Sequence, residues 1–222
     1  MYVPAHFAAH DMANIAAFVD QAGSADLVTF DGKRLISTLL PVIWDRNHAG
    51  NGRLIGHIAL TNPQWQDTVR DVPALAIFHG PQAYISPSWY QSTKEHRRTV
   101  PTWNYTTVHM SGPVMFHRDD DWLRNVVTTL TERYEAGRLG SWRVDDAPEK
   151  FIAGQLRAIV GVEMTVQQIE AKDKLSQNRT PQDRAGVITA LRNEPSGGAR
   201  AIAELMASRE PGTASGSMPA GG

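Results

Sequence analysis

Apolar residues near the N-terminus fall three or four apart, at Met12, Ile15 and Val19. This spacing predicts a helix over 11–22 that stops at Gly23. The pattern then changes to β-favouring runs over 25–30 and 33–44, joined by Asp31-Gly32, a pair suited to a two-residue hairpin turn. Asn and Gly mark a loop at 46–52, and a third strand is expected over 53–60. Asn62-Pro63 predicts a capped helix start, with the helix running to about Arg70. Strands over 74–78 and 82–86 flank His79-Gly80-Pro81, a long loop covers 87–101, and a strand returns over 103–111.

The second half is more helical. Trp122, Val126, Leu130 and Tyr134 recur every fourth residue in 119–136, behind a run of acidic residues that suits a helix N-terminus. A shorter helix is expected over 148–156. Alternation at Val162, Met164 and Val166 predicts one long strand over 158–169. Thr180-Pro181 opens a helix to 192, Pro195–Gly198 interrupts it, and 199–208 forms a last helix. Residues 210–222, rich in Gly, Ser, Ala and Pro, read as a disordered tail, which leaves one domain over 1–209. Six or seven strands with short links and outlying helices predict a mainly β, α+β fold built on a closed or half-open antiparallel barrel.

Composition narrows the chemistry. The formal charge is −1, so the chain as a whole sets up no field to attract a phosphate polymer. With no cysteine, disulfides, thiolate nucleophiles and cysteine-held metals are excluded. No apolar run approaches the ~20 residues of a membrane span, and residues 1–10 carry no Lys or Arg, so a cytoplasmic protein is expected. Phosphate-loop, dinucleotide, nucleophile-elbow and zinc-protease motifs are absent, and the eight histidines are scattered. No catalytic or metal-binding residue is assigned.

Four stretches stand out from this background. GHIALTNPQW (56–65) runs from a strand into a helix start, where free N–H groups can seat a phosphate. GPQAYISPSWY (80–90) puts Tyr84 and Ser86 on one strand face ahead of Trp89 and Tyr90, a mixture suited to a planar amphipathic ligand. VPTWNY (100–105) and KDKLSQNR (172–179) follow neither helical nor strand periodicity, and the latter is rich in hydrogen-bond donors. Ordinary structural roles, as strand corner, barrel core and solvated loop, explain the same residues.

Together these stretches, with MYVPAHF, LTERYE, WRVDDAP and DRAGVI, resemble the PaiB-like family of FMN-binding negative transcriptional regulators over roughly residues 1–192. The resemblance implies a homodimeric, FMN-binding split β-barrel, similar to pyridoxamine-phosphate oxidases and flavin reductases, with FMN in the groove between subunits. It implies that Thr61, Asn62 and Gln64 lie near the cofactor phosphate. Trp103, Asn104, Tyr105, Lys174, Gln177 and Asn178 would line the dimer groove. Thr38, His57 and Ser86 complete the expected cofactor-binding set.

Two residues depart from the pattern of relatives. Leu39 stands where a His is common and Leu60 where an Arg is common, which puts the strength of FMN binding in question. DNA enters as a partner through the family name only, because residues 170–209 carry seven Lys and Arg against five Asp and Glu. An FMN-dependent oxidoreductase and a cofactor-free binding barrel stay open as alternatives.

Overall fold

A computed structural model describes residues 1–209; the tail expected over 210–222 lies outside the described residues. Eight strands are found among them: β1 (Ser24–Phe30), β2 (Leu35–Asp45), β3 (Arg53–Ala59), β4 (Ala74–Ile85), β5 (Thr102–Gly112), β6 (Val114–His117), β7 (Ile159–Thr165) and β8 (Gln168–Lys174). Hydrogen-bonded neighbours follow the order β6-β7-β3-β2-β1-β4-β5-β8. The pairs β1–β2, β1–β4, β2–β3, β3–β7 and β6–β7 are antiparallel. Helices are α1 (Met12–Ala22), α2 (Gln64–Asp67), α3 (Gln91–His96), α4 (Asp120–Glu135), α5 (Glu149–Leu156), α6 (Pro181–Asn193) and α7 (Gly197–Ser208). None of them is long and apolar enough to cross a membrane.

The chain divides into two compact units. The larger comprises His10–His79 and Val108–Glu170. Here α1 starts on Asp11, whose carboxylate accepts from the N–H groups of Ala13 and Asn14, and ends on Gly23 at φ +65°, the left-handed stop that glycine favours. Asp119 caps α4 by accepting from Trp122 N at 2.8 Å, and Asp120 and Asp121 reinforce that end against the helix dipole. Val126 and Leu130 of α4 pack on Ile43 and Ile55, while Leu123 packs on Val144, Ile152 and Leu156. Gly161 makes room for α4: a methyl group there would lie 2.1 Å from the Trp122 ring.

The smaller unit comprises Met1–Ala9, Gly80–Thr107 and the described residues from Ala171 onward. Its core joins Ile85, Tyr90 and Leu175 to Val187 and Leu191 of α6 and to Ile202 and Met206 of α7. Thr180 caps α6, accepting from Asp183 N at 3.2 Å, as its position before Pro181 predicts.

Several boundaries differ from the sequence reading. The β1–β2 link is longer than a two-residue turn, because the Asp31 carboxylate collects the N–H groups of Lys33 and Arg34 at 2.8 and 2.7 Å. His79-Gly80-Pro81 is no turn: β4 runs through it without interruption. The expected helix after Pro63 is a single turn. The loop over 87–101 contains a 3-10 turn, Pro87–Trp89, followed by α3. The long strand over 158–169 is two strands, so Lys172 and Lys174 belong to β8 rather than to an unpatterned loop.

Candidate functional site

The expected phosphate corner lies where β3 ends. Asn62 Nδ2 donates to Thr38 Oγ1 at 2.9 Å, and Asn62 Oδ1 accepts from Gln64 N at 3.0 Å. The side chain therefore ties β2 to the start of α2. Gln64 is fully buried, and its amide nitrogen donates to Leu27 O and Thr29 Oγ1, both at 3.0 Å. Its Oε1 has no hydrogen-bond partner. Thr68 completes the cluster, donating to Gln64 O at 2.6 Å and lying 2.9 Å from Thr29 Oγ1. Thr61 is exposed, Thr38 and Leu60 are half-buried, and Leu39 is exposed.

Three backbone donors at this corner, those of Leu60, Asn62 and Gln64, are used within the fold. Leu60 N donates to Ala158 O at 2.8 Å, and Asn62 N donates to Ala59 O at 3.0 Å. A one-turn helix also carries little dipole, so the anion grip expected of a helix start falls to side chains here. A cation reaches the same corner from a distant part of the sequence. Trp65 Nε1 donates to Leu60 O at 3.0 Å, and the Arg118 guanidinium lies 5.6 Å from the Trp65 ring centroid. Arg118 carries no local sequence signal, being far from Leu60 along the chain.

His57 sits elsewhere in the larger unit. It lines a mainly apolar cavity of about 430 Å³ with Pro41, Leu130, Tyr134 and Trp142, which does not include Thr61 or Asn62. Its Nδ1 is buried without a partner, and burial holds the imidazole below its ordinary pKa.

In the smaller unit the turn after β8 gathers most of the remaining residues. Asn104, fully buried, donates to Ser176 Oγ at 3.0 Å and accepts from it at 3.2 Å. Gln177 clamps the same turn, accepting from Leu175 N at 2.8 Å and donating to Asp173 O at 2.5 Å. Ser176 is held at φ +60°, a conformation that a non-glycine residue adopts only when its surroundings impose it. Lys174 Nζ donates to Thr102 Oγ1 at 2.6 Å and to Trp103 O at 2.5 Å. Burial, then the neighbouring Lys172 and Arg179, lower the Lys174 pKa.

Asn104, Lys174 and Asn178 line one cavity of about 190 Å³, which Arg179 and Tyr90 also border. Arg179 and Tyr90 close the long stretches noticed in the sequence, but their chemistry emerges only when the two are brought together. Trp103 is half exposed and meets Tyr84 edge-on, with centroids 6.1 Å apart. Tyr105 lies beneath Lys172, whose Nζ is 5.3 Å from the ring centroid. Ser86 caps the 3-10 turn by accepting from Ser88 N at 3.2 Å.

With this geometry in view, residues 1–168 match the family described as "Putative FMN-binding domain". The chain belongs to this family. A relative within reach of it, "Protease synthase and sporulation protein PAI 2" of Bacillus subtilis, is 36% identical over 206 residues, covering 93% of this chain and 96% of that protein. Among solved structures, the conserved hypothetical protein Rv2991 from Mycobacterium tuberculosis superposes with a TM-score of 0.56 at 14% identity, covering 81% of this chain and 94% of that one. The flavocytochrome Anf3 from Azotobacter vinelandii gives 0.55 at 12% identity, covering 83% and 78%. At such identities the likeness is one of fold, and the fold is the split β-barrel expected for an FMN-binding domain of this family.

Proposed function

We propose that this chain is an FMN-binding split-barrel protein that acts as a homodimeric, flavin-responsive negative regulator of transcription. The observation that carries the flavin reading is the Thr38–Asn62 hydrogen bond. Because Asn62 donates to Thr38 Oγ1, the Thr38 hydroxyl keeps its own proton to donate, and the exposed Thr61 adjoins Asn62 in sequence. Two hydroxyl donors and the Arg118 guanidinium fit a phosphate monoester at this corner. Arg118 is our candidate for the cation that Leu60 does not provide. Bound FMN supplies electron or hydride transfer, while the protein orients it and holds its phosphate.

Exposed apolar residues support the dimer. Leu35 and Leu39 of β2 are 72% and 66% exposed and share one strand face. Trp103, half exposed, belongs to the same proposal as a contact made in the assembled dimer, whereas Asn104 is fully buried within the chain and is left out of that contact set.

The regulatory part rests on family membership and on the Bacillus subtilis relative, which is named for protease synthesis and sporulation. Direct reading of DNA by the terminal helices is not part of it, because their arginines are engaged within the fold. Arg184 is buried and donates to Leu175 O and Met206 O at 2.7 and 2.8 Å. Arg192 pairs with Glu204 at 3.0 Å, and Arg200 donates to Glu194 O at 3.1 Å. Regulation through a bound flavin and a partner protein fits this surface better than phosphate-backbone contacts. Flavin absorbance of the purified protein, with FMN released on denaturation, tests the binding. Transcription measured in a deletion strain, with and without the Thr61→Val variant restored, tests the flavin's part in repression.

A further inference from the structure

The cavity under the β8 turn has features of a built site. Its volume, about 190 Å³, falls below the roughly 300 Å³ at which drug-sized ligand pockets begin. At about 30 Å³ per water, the space corresponds to a few water molecules or one small organic ion. Its lining includes two cations, Lys174 and Arg179, and the apolar side chains of Phe7, Val100 and Pro101.

No carboxylate pairs with either cation among the described residues. Lys174 Nζ has only neutral partners, the acceptors Thr102 Oγ1 and Trp103 O and the Phe7 ring with its centroid 5.8 Å away, so no anion compensates its charge. Arg179 stacks 4.8 Å from the Tyr90 ring centroid. Asp183 is the acidic group that acts on Arg179, yet its two oxygens are taken by Ser92 N at 2.9 Å and Ser92 Oγ at 2.8 Å. Lys172 adds a third positive charge nearby.

A second observation points to a missing partner. Tyr90 is 1% exposed, borders the cavity, and its hydroxyl makes no well-formed hydrogen bond, although Ser176 and Arg179 are its polar neighbours. A buried hydroxyl left in that state costs free energy unless a ligand or an ordered water satisfies it. Meanwhile Gln177 and Asn104 hold the turn in its strained form, so the donors are preorganised rather than recruited.

We propose that this cavity binds a small carboxylate bearing a short apolar chain, with Lys174 and Arg179 taking the carboxylate, Tyr90 donating to it, and Phe7, Val100 and Pro101 covering the chain. The site uses residues of the smaller unit only and does not depend on the flavin corner.

Calorimetric titration of the full chain with butyrate, inorganic phosphate and butylamine tests the assignment, with FMN binding measured on the same samples. Expected is saturable butyrate binding, weaker phosphate binding and none of butylamine. Lys174→Met and Arg179→Gln should each weaken butyrate at least about tenfold, in line with the loss of a charge-assisted hydrogen bond. Arg179 sits at the cavity edge, so Arg179→Gln keeps the test valid should Lys174→Met fail to fold. Phosphate binding as tightly as butyrate would overturn the apolar-chain assignment. Absence of butyrate binding, or binding indifferent to Arg179→Gln, would overturn the site while leaving the flavin result to be judged by its own titration.

Discussion

Asn104 and Ser176 exchange two hydrogen bonds out of reach of solvent, 3.0 Å from amide nitrogen to hydroxyl and 3.2 Å from hydroxyl to amide oxygen. The pair joins β5 to the turn after β8 and fixes Ser176 in the left-handed region. Asn104→Ala leaves the Ser176 hydroxyl buried and unpaired, so a loss of about 1–3 kcal/mol is expected in urea unfolding. A change within about 0.5 kcal/mol, as at an ordinary surface site, would show that the turn is held by other contacts.

Gln64 plays the matching part in the larger unit. Replacing it with Leu removes the donors to Leu27 O and Thr29 Oγ1 and should cost about 1–3 kcal/mol. Gln64→Glu should cost more at neutral pH, because a carboxylate would face the Leu27 carbonyl in a site closed to water. That extra cost should shrink as the solution is acidified and the buried acid takes up a proton. Thermal unfolding of the two variants at neutral and acidic pH distinguishes these effects.

His57 gives the fold a pH dependence of defined sign. Burial lowers its folded-state pKa, so the neutral ring is favoured in the native protein. Its contribution is therefore complete above the unfolded value of about 6.5 and is lost as pH falls from there through the folded value. The wild-type melting temperature should drop over that acidic window, and His57→Gln should flatten the drop. Parallel curves for the two proteins would assign the acid sensitivity to other groups.

Leu35 and Leu39 carry the prediction about assembly. Changing both to Asp places charges on the exposed face of β2 and should convert a dimer to a monomer in light scattering, with the circular dichroism spectrum retained. A dimer that survives the double change would move the interface to another surface.

Local chemistry made the longer helices legible, while the short α3 within 87–101 was read as loop. Asp11, Asp119 and the Thr180-Pro181 pair each act as the caps their positions suggest. Strand ends were harder, because alternation says which face a residue takes but not where a strand turns. Pro81 reads as a breaker, yet β4 passes through it. The alternating run through Val166 conceals a break between β7 and β8, where Val166 N donates to Gly52 O and Gln167 N to Ser111 O. Among the expected site residues, Thr38 and Asn62 meet as a pair and Asn104, Lys174 and Asn178 share a cavity. Arg118 was not foreseen, and Tyr90 was noticed only within its own stretch, because the contacts that matter are long-range in sequence, the first with Trp65 and the second with Arg179.

Equilibrium titration of the purified full chain with FMN tests the central claim most directly. The account predicts saturable binding of one FMN per chain, accompanied by quenching of flavin fluorescence. Arg118→Ala and Thr61→Val should each weaken it about tenfold, the effect of losing one contact to a charged phosphate. Free flavin whose fluorescence stays unchanged at every protein concentration would contradict the account.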